Sequence, residues 1–398
     1  MWIRLLPIVL LAAVEMASGQ TYTQVYTFTG GSDGSGPDTG VVADAAGNLY
    51  GTTSSGGPLG YGTVYELPVT GGERTIHDLS SNWDGAYPKA GVIVDNAGNL
   101  YGTAQQGGNT GCQDFGCGVV FRINPTHTDK VLHTFLDGRD GGFPIAGLTR
   151  DQAGDLYGTT QSGGIGYGVI FRMDSSGHES VLYSFSGPDG NAPDTKLVLD
   201  NAGNMYGATY YGGGESCNGV GCGVVFRLNR TGQLTVLYKF SGGTDGGIPT
   251  SGTLTLDRAG NIYGTTNYGG DLSCQAGPWP GCGVVYKVDP AGNQTVLYSF
   301  HHGSDGAIPS SGLLLDGKGN LYGTTLEGGD FSGNCKSDIG CGVIFRLSPT
   351  GEETVLHTFQ YDDGAYPAGD LLRRQGFLYG TADLGGSTGL GVVFKLQL

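Results

Sequence analysis

The side chains whose types and spacing most clearly predict chemistry are eight Cys residues, which fall into four close pairs. In an oxidising compartment such pairs indicate disulfides. Zinc would need more ligands than one pair supplies, and no His lies near any of the pairs. We therefore predict four local disulfides and no metal site. The predicted pairs are Cys112 with Cys117, Cys217 with Cys222, Cys274 with Cys282, and Cys335 with Cys341.

Acidic residues form a second regular pattern, Asp-Gly-x-x-Pro, which occurs seven times. A ring of carboxylates could hold calcium, but Asp followed by Gly also forms a turn in which the Asp side chain accepts from the backbone. Because a site would rarely need so many identical members, the turn is favoured. We expect no cofactor, with calcium the one candidate ion. The residues are Asp33, Asp84, Asp140, Asp189, Asp245, Asp305 and Asp363.

The His residues do not form the pattern of a catalytic site. His77, His133 and His357 occupy a position that holds Tyr in the other copies of a repeat, which predicts packing and not proton transfer. His301 and His302 lie in one loop and are expected to be solvated. No Ser/His/Asp set and no phosphate-binding loop stands out. We therefore assign no catalytic residues.

These residues are positioned by a repeat, whose motif Gly-Asn-Leu-Tyr-Gly-Thr-Thr, at 47–53, returns six more times with small changes. Each copy contains four short apolar runs with strand-like alternation and no helical period. In the first copy, strand A is Val41–Asp44, strand B includes Tyr50–Thr53, strand C is Thr63–Leu67 and strand D is Thr75–Leu79. The pattern predicts an all-β fold, a seven-bladed β-propeller with four-stranded blades.

The two ends of the sequence predict how the ring closes. The last copy stops at Leu398, just after its strand C, and therefore lacks a strand D. A matching run, Thr21–Phe28, stands alone before the first copy. We expect this N-terminal strand to pair into the last blade, which would leave no open sheet edge. Residues 20–398 are thus predicted to form a single propeller domain.

Antiparallel alternation places the B–C and D–A loops on one side of the ring, which we call the loop face. The Cys pairs occupy the long B–C loops, and several aromatic residues lie in loops of this face. Exposed aromatics would stack on a ligand such as a sugar, whereas packing within their own loops is the alternative. Trp279, between Pro278 and Pro280, is the strongest candidate. The ligand-binding aromatics predicted here are Trp83, Tyr210, Tyr211, Tyr268 and Trp279.

Polar residues begin strand A in several copies, where the propeller channel would open. Asp38 and Asp194 are the acidic members of this set and the candidates for a polar pocket. The Ser and Thr residues at the same place are Thr39, Thr195, Thr250, Ser251, Ser310 and Ser311.

Composition and charge narrow the class of protein. The sequence has 78 Gly in 398 residues, without the three-residue period of collagen. A formal net charge of −16 argues against nucleic-acid binding, which needs clustered Lys and Arg. Residues 1–19 have the pattern of a signal peptide, with Arg4 before an apolar run that is too short to span a membrane. We expect a secreted or periplasmic protein that is a monomer and has no membrane span.

The motifs resemble the tandem repeat of secreted bacterial proteins called the Gloeo/Verruco or GloVer repeat. The matching wording is Asp-Gly-x-x-Pro, Asp-x-x-Gly-Asn-Leu-Tyr-Gly-Thr-Thr, Gly-Val-Val-Phe-Arg-Leu and Thr-Val-Leu-Tyr-Ser-Phe, and it covers essentially the whole mature chain. The repeat is also similar to the NHL-type propeller blade. The resemblance implies a bacterial exported propeller, and it brings no catalytic residues with it.

Two functions remain open at this stage. The first is a non-catalytic exported propeller that binds a polysaccharide or an extracellular protein through the loop face. The second is a hydrolase, lyase or lactonase with its site at the channel mouth, since the same fold hosts both classes. A metal or several carboxylates meeting at the mouth would favour the enzyme.

Overall fold

The computed structural model describes residues 20–81, 83–109, 111–112, 114–332, 335 and 339–398. The predicted signal peptide, residues 1–19, lies outside the described residues. The described chain contains no helix and forms seven antiparallel sheets, in each of which strands A, B, C and D follow one another across the sheet. The protein is therefore a seven-bladed β-propeller, and the fold class predicted from the repeat is confirmed.

The strands of each type have similar bounds in all blades. Strands A are Val42–Ala43, Ile93–Val94, Thr149–Arg150, Val198–Leu199, Thr255–Leu256, Leu314–Leu315 and Leu372–Arg374. Strands B are Leu49–Thr53, Leu100–Ala104, Leu156–Thr160, Met205–Tyr211, Ile262–Tyr268, Leu321–Glu327 and Phe377–Ala382. Strands C are Thr63–Leu67, Val119–Ile123, Val169–Met173, Val224–Leu228, Val284–Val288, Val343–Leu347 and Val392–Gln397. Strands D are Arg74–Asp78, Asp129–Thr134, Glu179–Ser184, Leu234–Lys239, Gln294–Ser299, Glu353–Thr358 and, in blade 7, Tyr22–Thr27.

The innermost strand is shorter than the sequence pattern predicts. In blades 4 to 6 a second short strand precedes strand A and pairs with the far end of strand B. These additional strands are Asn191–Pro193, Gly247–Pro249 and Ala307–Pro309. Some residues between the two pieces still bond to strand B, as the N–H of Thr250 does to the carbonyl oxygen of Thr265 at 3.1 Å, whereas others, such as Thr253, line the channel.

The ring closes through the N-terminal strand. Residues Tyr22–Thr27 pair antiparallel with strand C of blade 7, where Tyr22 lies opposite Leu396 and Thr27 lies opposite Val392. Blade 7 thus takes three strands from one end of the chain and one from the other. The predicted closure is confirmed.

Aromatic side chains of strands C and D form the core between neighbouring blades. Phe185, at the end of strand D in blade 3, meets Phe226 of blade 4 with ring centroids 5.2 Å apart, and both are fully buried. The same ring explains the Gly of the Tyr-Gly motif, because a Cβ on Gly207 would lie 2.5 Å from Cζ of Phe226. The repeated Gly therefore allows strand B to lie directly on the aromatic core.

Candidate binding site

The loop face carries most of the large apolar side chains that the described residues leave exposed. Trp83, in the D–A loop that leads into blade 2, is 80% exposed, and Phe115, in the B–C loop of that blade, is 64% exposed. Apolar side chains gathered on one face are a feature of interaction surfaces. The exposed members on this face are Leu59, Trp83, Phe115, Leu136, Ile165, Tyr167, Val220 and Leu272.

The predicted stacking residues of blades 4 and 5 contact one another. The rings of Tyr268 and Trp279 are 5.2 Å apart, and those of Tyr210 and Tyr211 are 4.6 Å apart. All four are half-buried. Trp279 therefore has the loop packing that the sequence left as its alternative, and Trp83 presents the freer ring. A ligand-binding role for Trp279 stays a prediction.

A cavity of about 610 Å³ lies on the propeller axis, where strands A begin. Its polar side chains follow the Pro of Asp-Gly-x-x-Pro or lie at the end of strand B, and both places belong to the loop-face side of the ring. Of the two acidic residues predicted for this mouth, Asp38 lines the cavity and Asp194 does not. The polar lining comprises Asp38, Thr39, Lys89, Gln105, Gln161, Lys196, Thr250, Ser251, Thr253, Asn267, Ser310 and Asp370.

Two charged residues of the cavity lining, Asp38 and Lys89, are paired, and the carboxyl group of Asp383 lies near them. Lys89 Nζ donates to Asp38 Oδ2 at 2.8 Å. Burial raises the pKa of Asp38, although the charge of Lys89 opposes the rise. Burial and the nearby charge of Asp38 also raise the pKa of Asp383, to about 6. A carboxyl group that keeps its proton up to pH 6 beside a second carboxyl group can act as a general acid or base.

Asp194 occupies the same register in blade 4 as Asp38 in blade 1, but it is only 1% exposed. Its Oδ1 atom has no hydrogen-bond partner among the described residues. Burial raises the pKa of Asp194 well above its usual range. Since it is enclosed and does not line the cavity, Asp194 belongs to the interior of the blade and does not join Asp38 in one pocket.

The sequence reading missed two charged residues of the cavity, Lys196 and Asp370. Both occupy the third position after the Pro, where the other blades have Gly. Comparison of the copies position by position would have found them, because a charged side chain in place of a repeated Gly is a local departure from the pattern. The polar amides Gln105, Gln161 and Asn267 were also missed, because their position at the end of strand B differs between copies and belongs to no motif.

The Asp of Asp-Gly-x-x-Pro caps a turn and binds strand D. In blade 5, Asp245 accepts the backbone N–H of Ser241 at 2.9 Å and the hydroxyl of Tyr238 at 2.9 Å. Equivalent bonds exist at every copy, so the Tyr/His position forms a hydrogen bond in addition to the packing that the sequence predicts. Tyr and His alternate there because each can donate to this carboxylate. The donors are Tyr26, His77, His133, Tyr183, Tyr238, Tyr298 and His357.

One group of potential metal ligands comes together among the described residues. Ligand atoms of His77, Asp84 and Asp129 lie within 4.8 Å of one another. Two of the three are already joined, since His77 Nε2 is 2.7 Å from Asp84 Oδ2, and Asp84 also accepts the N–H of Ser80 at 2.7 Å. The repeated Asp–strand D pair thus accounts for most of this group.

Four disulfides join the predicted Cys pairs. The second Cys of each pair is fully buried and belongs to an apolar core cluster. These residues are Cys117, Cys222, Cys282 and Cys341. Each bond therefore ties a long B–C loop to the base of its own blade.

A family model described as the Gloeobacter/Verrucomicrobia repeat matches residues 12–220 and 218–398. No protein with a curated description matches the chain. Among the described residues, no helix is long and apolar enough to cross a membrane.

Solved structures share the propeller fold at low sequence identity. A structure named as the extracellular domain of a hybrid two component system from B. thetaiotaomicron has a TM-score of 0.58 and 12% identity, over 95% of this chain and 39% of that one. A second, named for a one component system of the same organism, has a TM-score of 0.57 and 13% identity, over 95% and 42%. A structure named as a gluconolactonase has a TM-score of 0.40 and 15% identity, over 70% and 80%. The present chain spans about two fifths of the first two proteins.

Proposed function

The chain belongs to the Gloeobacter/Verrucomicrobia repeat family, and on its propeller scaffold we propose an exported, non-catalytic protein that binds a polysaccharide through the loop face. The observation that carries the proposal is the combination on one face of exposed aromatic rings with a polar cavity. Trp83 is 80% exposed on that face, and the cavity of about 610 Å³ is lined by amides and hydroxyls. Aromatic faces and planar amides are the two groups that sugar rings and sugar hydroxyls require.

A protein ligand is the alternative for the same face. The cavity favours the polysaccharide, because a flat protein surface would cover its polar groups without reaching them, and uncompensated desolvation weakens binding. A glycan chain can place a sugar in the cavity while neighbouring sugars lie across the loops. On this reading the protein acts as a monomer with no further cofactor.

The test is glycan-array binding of residues 20–398, followed by the variants Trp83→Ala, Trp279→Ala and Val69→Ala. Val69 is 66% exposed in a C–D turn, on the opposite side of the ring, and serves as the control. We expect Trp83→Ala to weaken glycan binding at least tenfold with an unchanged melting temperature. We expect Val69→Ala to bind as the parent does. No binding to any glycan would contradict the proposal.

Trp279→Ala separates the two roles considered for that residue. Loss of its contact with Tyr268 should lower the melting temperature, whereas a ligand-stacking role should reduce binding with little change in the melt. If a glycan is found and Trp279→Ala binds it normally, the residue serves only its own loop.

A hydrolase, lyase or lactonase at the channel mouth is the second candidate, and the Asp38–Lys89–Asp383 cluster favours it. Asp383, with its pKa raised to about 6, would supply the acid or base. Incubation of any bound glycan with the protein, followed by analysis of its chain length, tests for turnover. The enzymatic proposal predicts shortened glycan products with the parent protein and none with Asp383→Asn. Glycan that stays intact with the parent protein would contradict it.

Export is proposed from residues 1–19 and agrees with four disulfides, which persist in oxidising compartments. The mass of the protein recovered from the periplasm or medium should match a chain that begins at Gln20. Peptide mapping without reduction should then show the four short-range links. Recovery of uncleaved protein from the cytoplasm with free thiols would contradict this.

A further inference from the structure

The third residue after the Pro of each Asp-Gly-x-x-Pro lies in a ring of close contacts between strands A, which we call the neck, and in six of the seven copies it lines the cavity. Five copies have Gly there, whereas blade 4 has Lys196 and blade 7 has Asp370. A repeat protein builds its scaffold from what the copies share, so a charged side chain in one copy points to a role beyond folding. The Gly positions are Gly40, Gly91, Gly147, Gly252 and Gly312.

Gly is required at four of these five positions, all except Gly147, because the backbones of the blades meet at this neck. A Cβ on Gly252 would lie 1.9 Å from the backbone N of Gly312, and a Cβ on Gly40 would lie 2.5 Å from the carbonyl oxygen of Asp370. The side chain of Asp370 fits the neck, since its carboxylate accepts the N–H of Gly312 at 2.7 Å and the hydroxyl of Thr253. Bonds between blades therefore account for Asp370.

Lys196 has no such partner. It lines the cavity, and its aliphatic chain lies over blade 3, where a Cβ on Gly147 would be 3.4 Å from Lys196 Cδ. Its ammonium group has no hydrogen bond or ion pair within the described part of the chain. Burial lowers the pKa of Lys196, and the charge of Asp370 opposes this. A cation held in a cavity without an acceptor is favourable only when an anion neutralises it.

Three amide side chains line the same cavity. Gln105, Gln161 and Asn267 lie at the loop-face ends of strands B in blades 2, 3 and 5. Their side chains form no hydrogen bonds within the described ranges, and the Oδ1 atom of Asn267 is buried without a partner. Each amide carries donors and acceptors that match the hydroxyls of a sugar.

We propose that the axial cavity is a subsite for a uronic acid residue of the bound polysaccharide, with the sugar carboxylate on Lys196 and its hydroxyls on Gln105, Gln161 and Asn267. The proposal rests on the proposed polysaccharide binding and names the class, an acidic glycan. A uronate presents one carboxylate and several hydroxyls on a ring, and the cavity presents one unpaired ammonium group and several unpaired amides. A volume of about 610 Å³ is in the range of small-molecule sites.

The matched ligands are an oligouronate and the same oligosaccharide after reduction of its carboxyl groups to primary alcohols. The matched variants are Lys196→Gly, which gives blade 4 the residue of five other blades, and Lys196→Gln, which keeps the length of the side chain without its charge. Lys130→Ala removes the same charge from an exposed position of strand D and is the control. Calorimetry at about 0.15 M salt limits the effect of the net charge, because the screening length is then about 8 Å.

We expect the parent and Lys130→Ala to bind the oligouronate at least tenfold more tightly than its reduced form. Both Lys196 variants should lose that preference while retaining the melting temperature. Equal affinity of the parent for the two ligands, or unchanged uronate binding by both Lys196 variants, would overturn the subsite and leave polysaccharide binding intact. A preference for a sulfated oligosaccharide that contains no uronic acid over the oligouronate would also overturn it. Failure to bind any oligosaccharide would overturn the proposed function as well.

Discussion

The backbone N–H of Ile248 donates to the carbonyl oxygen of Cys222 in the preceding blade at 2.8 Å, although Ile248 must adopt a φ of 58° to do so. Such left-handed geometry is unfavourable for a β-branched residue. The residue before the Pro is nevertheless left-handed in all seven copies, and each donates to the preceding blade. The donors are Gly36, Tyr87, Phe143, Ala192, Ile248, Ile308 and Tyr366. Backbone strain thus accompanies the bond between blades at six of the seven joints, and Gly36 adopts the same geometry without strain at the seventh.

Relief of this strain should stabilise the protein. Ala192 has a φ of 52° and only a methyl group to lose. Left-handed geometry destabilises the folded state of a non-Gly residue by about 1–2 kcal/mol. Replacement by Gly removes this cost but favours the unfolded state by about 0.5–1 kcal/mol, because Gly has more conformational entropy there. Ala192→Gly should therefore raise the free energy of unfolding by about 0.5–1 kcal/mol. Ala202→Gly, at an exposed turn of the same blade with ordinary φ, should lower it. Urea unfolding measures both, and a loss in Ala192→Gly would show that the joint is unstrained.

Closure of the ring should depend on the N-terminal strand. Tyr22 stacks on His357 with ring centroids 4.0 Å apart, and its hydroxyl donates to the carbonyl oxygen of Asp363 at 2.6 Å. Deletion of residues 22–29 would remove these contacts and expose strand C of blade 7 as an edge. We expect a sharply lower melting temperature or oligomers in light scattering. Deletion of residues 20–21 alone is the control and should leave both unchanged. A monomeric, unchanged melt of the longer deletion would mean that the strand is dispensable.

Much of the fold could be predicted because it depends on features that all copies share. Alternating apolar runs predict the blades, and the additional D-type run Thr21–Phe28 predicts their closure, and neither requires knowledge of one particular contact. The candidate binding site depends instead on residues that occur in only one copy. Lys196 and Asp370 each replace, in one copy, a Gly that five other copies share. A motif that describes the average copy therefore does not include them.

Side-chain contacts within a blade and its loops were also beyond the sequence. Tyr238 and His77 differ in shape, but each forms a hydrogen bond with the Asp of its own blade, Asp245 and Asp84. Only the structure shows this shared bond, which explains why the position holds either residue. Trp279 shows the same limit, since its flanking Pro residues are consistent with either an exposed or a packed ring. The three-dimensional contact with Tyr268 was needed to distinguish them.

Two copies of the Asp–His pair should respond oppositely to pH. Burial lowers the pKa of both His residues, but the hydrogen bond to Asp84 at 2.7 Å raises that of His77 above its usual value, whereas the 3.3 Å contact with Asp140 leaves that of His133 lowered. Charges of Asp129 and Asp78 also favour protonated His77. His77 thus stabilises the fold below about pH 6.5 and loses this effect as pH rises through its raised pKa. His133 costs stability as pH falls below about 6.5.

The test replaces each His with Tyr, the residue of most other blades, and measures urea unfolding from pH 5 to 8. The free energy of unfolding of His77→Tyr, relative to that of the parent, should be lowest at pH 5. The same difference for His133→Tyr should be highest at pH 5. The two difference curves should therefore slope in opposite directions. Curves with the same slope would show that the two sites do not differ in their protonation.

The first residue of strand D provides the last prediction, because it meets the preceding D–A loop at the rim. In blade 5, Gln294 Nε2 donates to the carbonyl oxygen of Asp245 at 3.0 Å, and in blade 7, the hydroxyl of Tyr22 donates to that of Asp363 at 2.6 Å. Blade 6 has Glu353 in this position, and its Oε1 atom is buried without a partner among the described residues. Burial, with a smaller effect of the charge of Asp305, raises the pKa of Glu353 to about 7.

Because the folded pKa of Glu353 lies above the usual value of 4.5, the folded state holds an extra proton between those pH values. Stability should fall as pH rises from about 4.5 to 7 and stay reduced above that window. Glu353→Gln supplies the missing donor without a charge, so it should raise the free energy of unfolding at pH 8 and have little effect at pH 4.5. Gln294→Glu is the reciprocal variant and should introduce the same loss at pH 8 in blade 5. Urea unfolding at the two pH values measures both, and a Glu353→Gln variant that is less stable than the parent at pH 8 would show that the ionised carboxylate has a favourable partner.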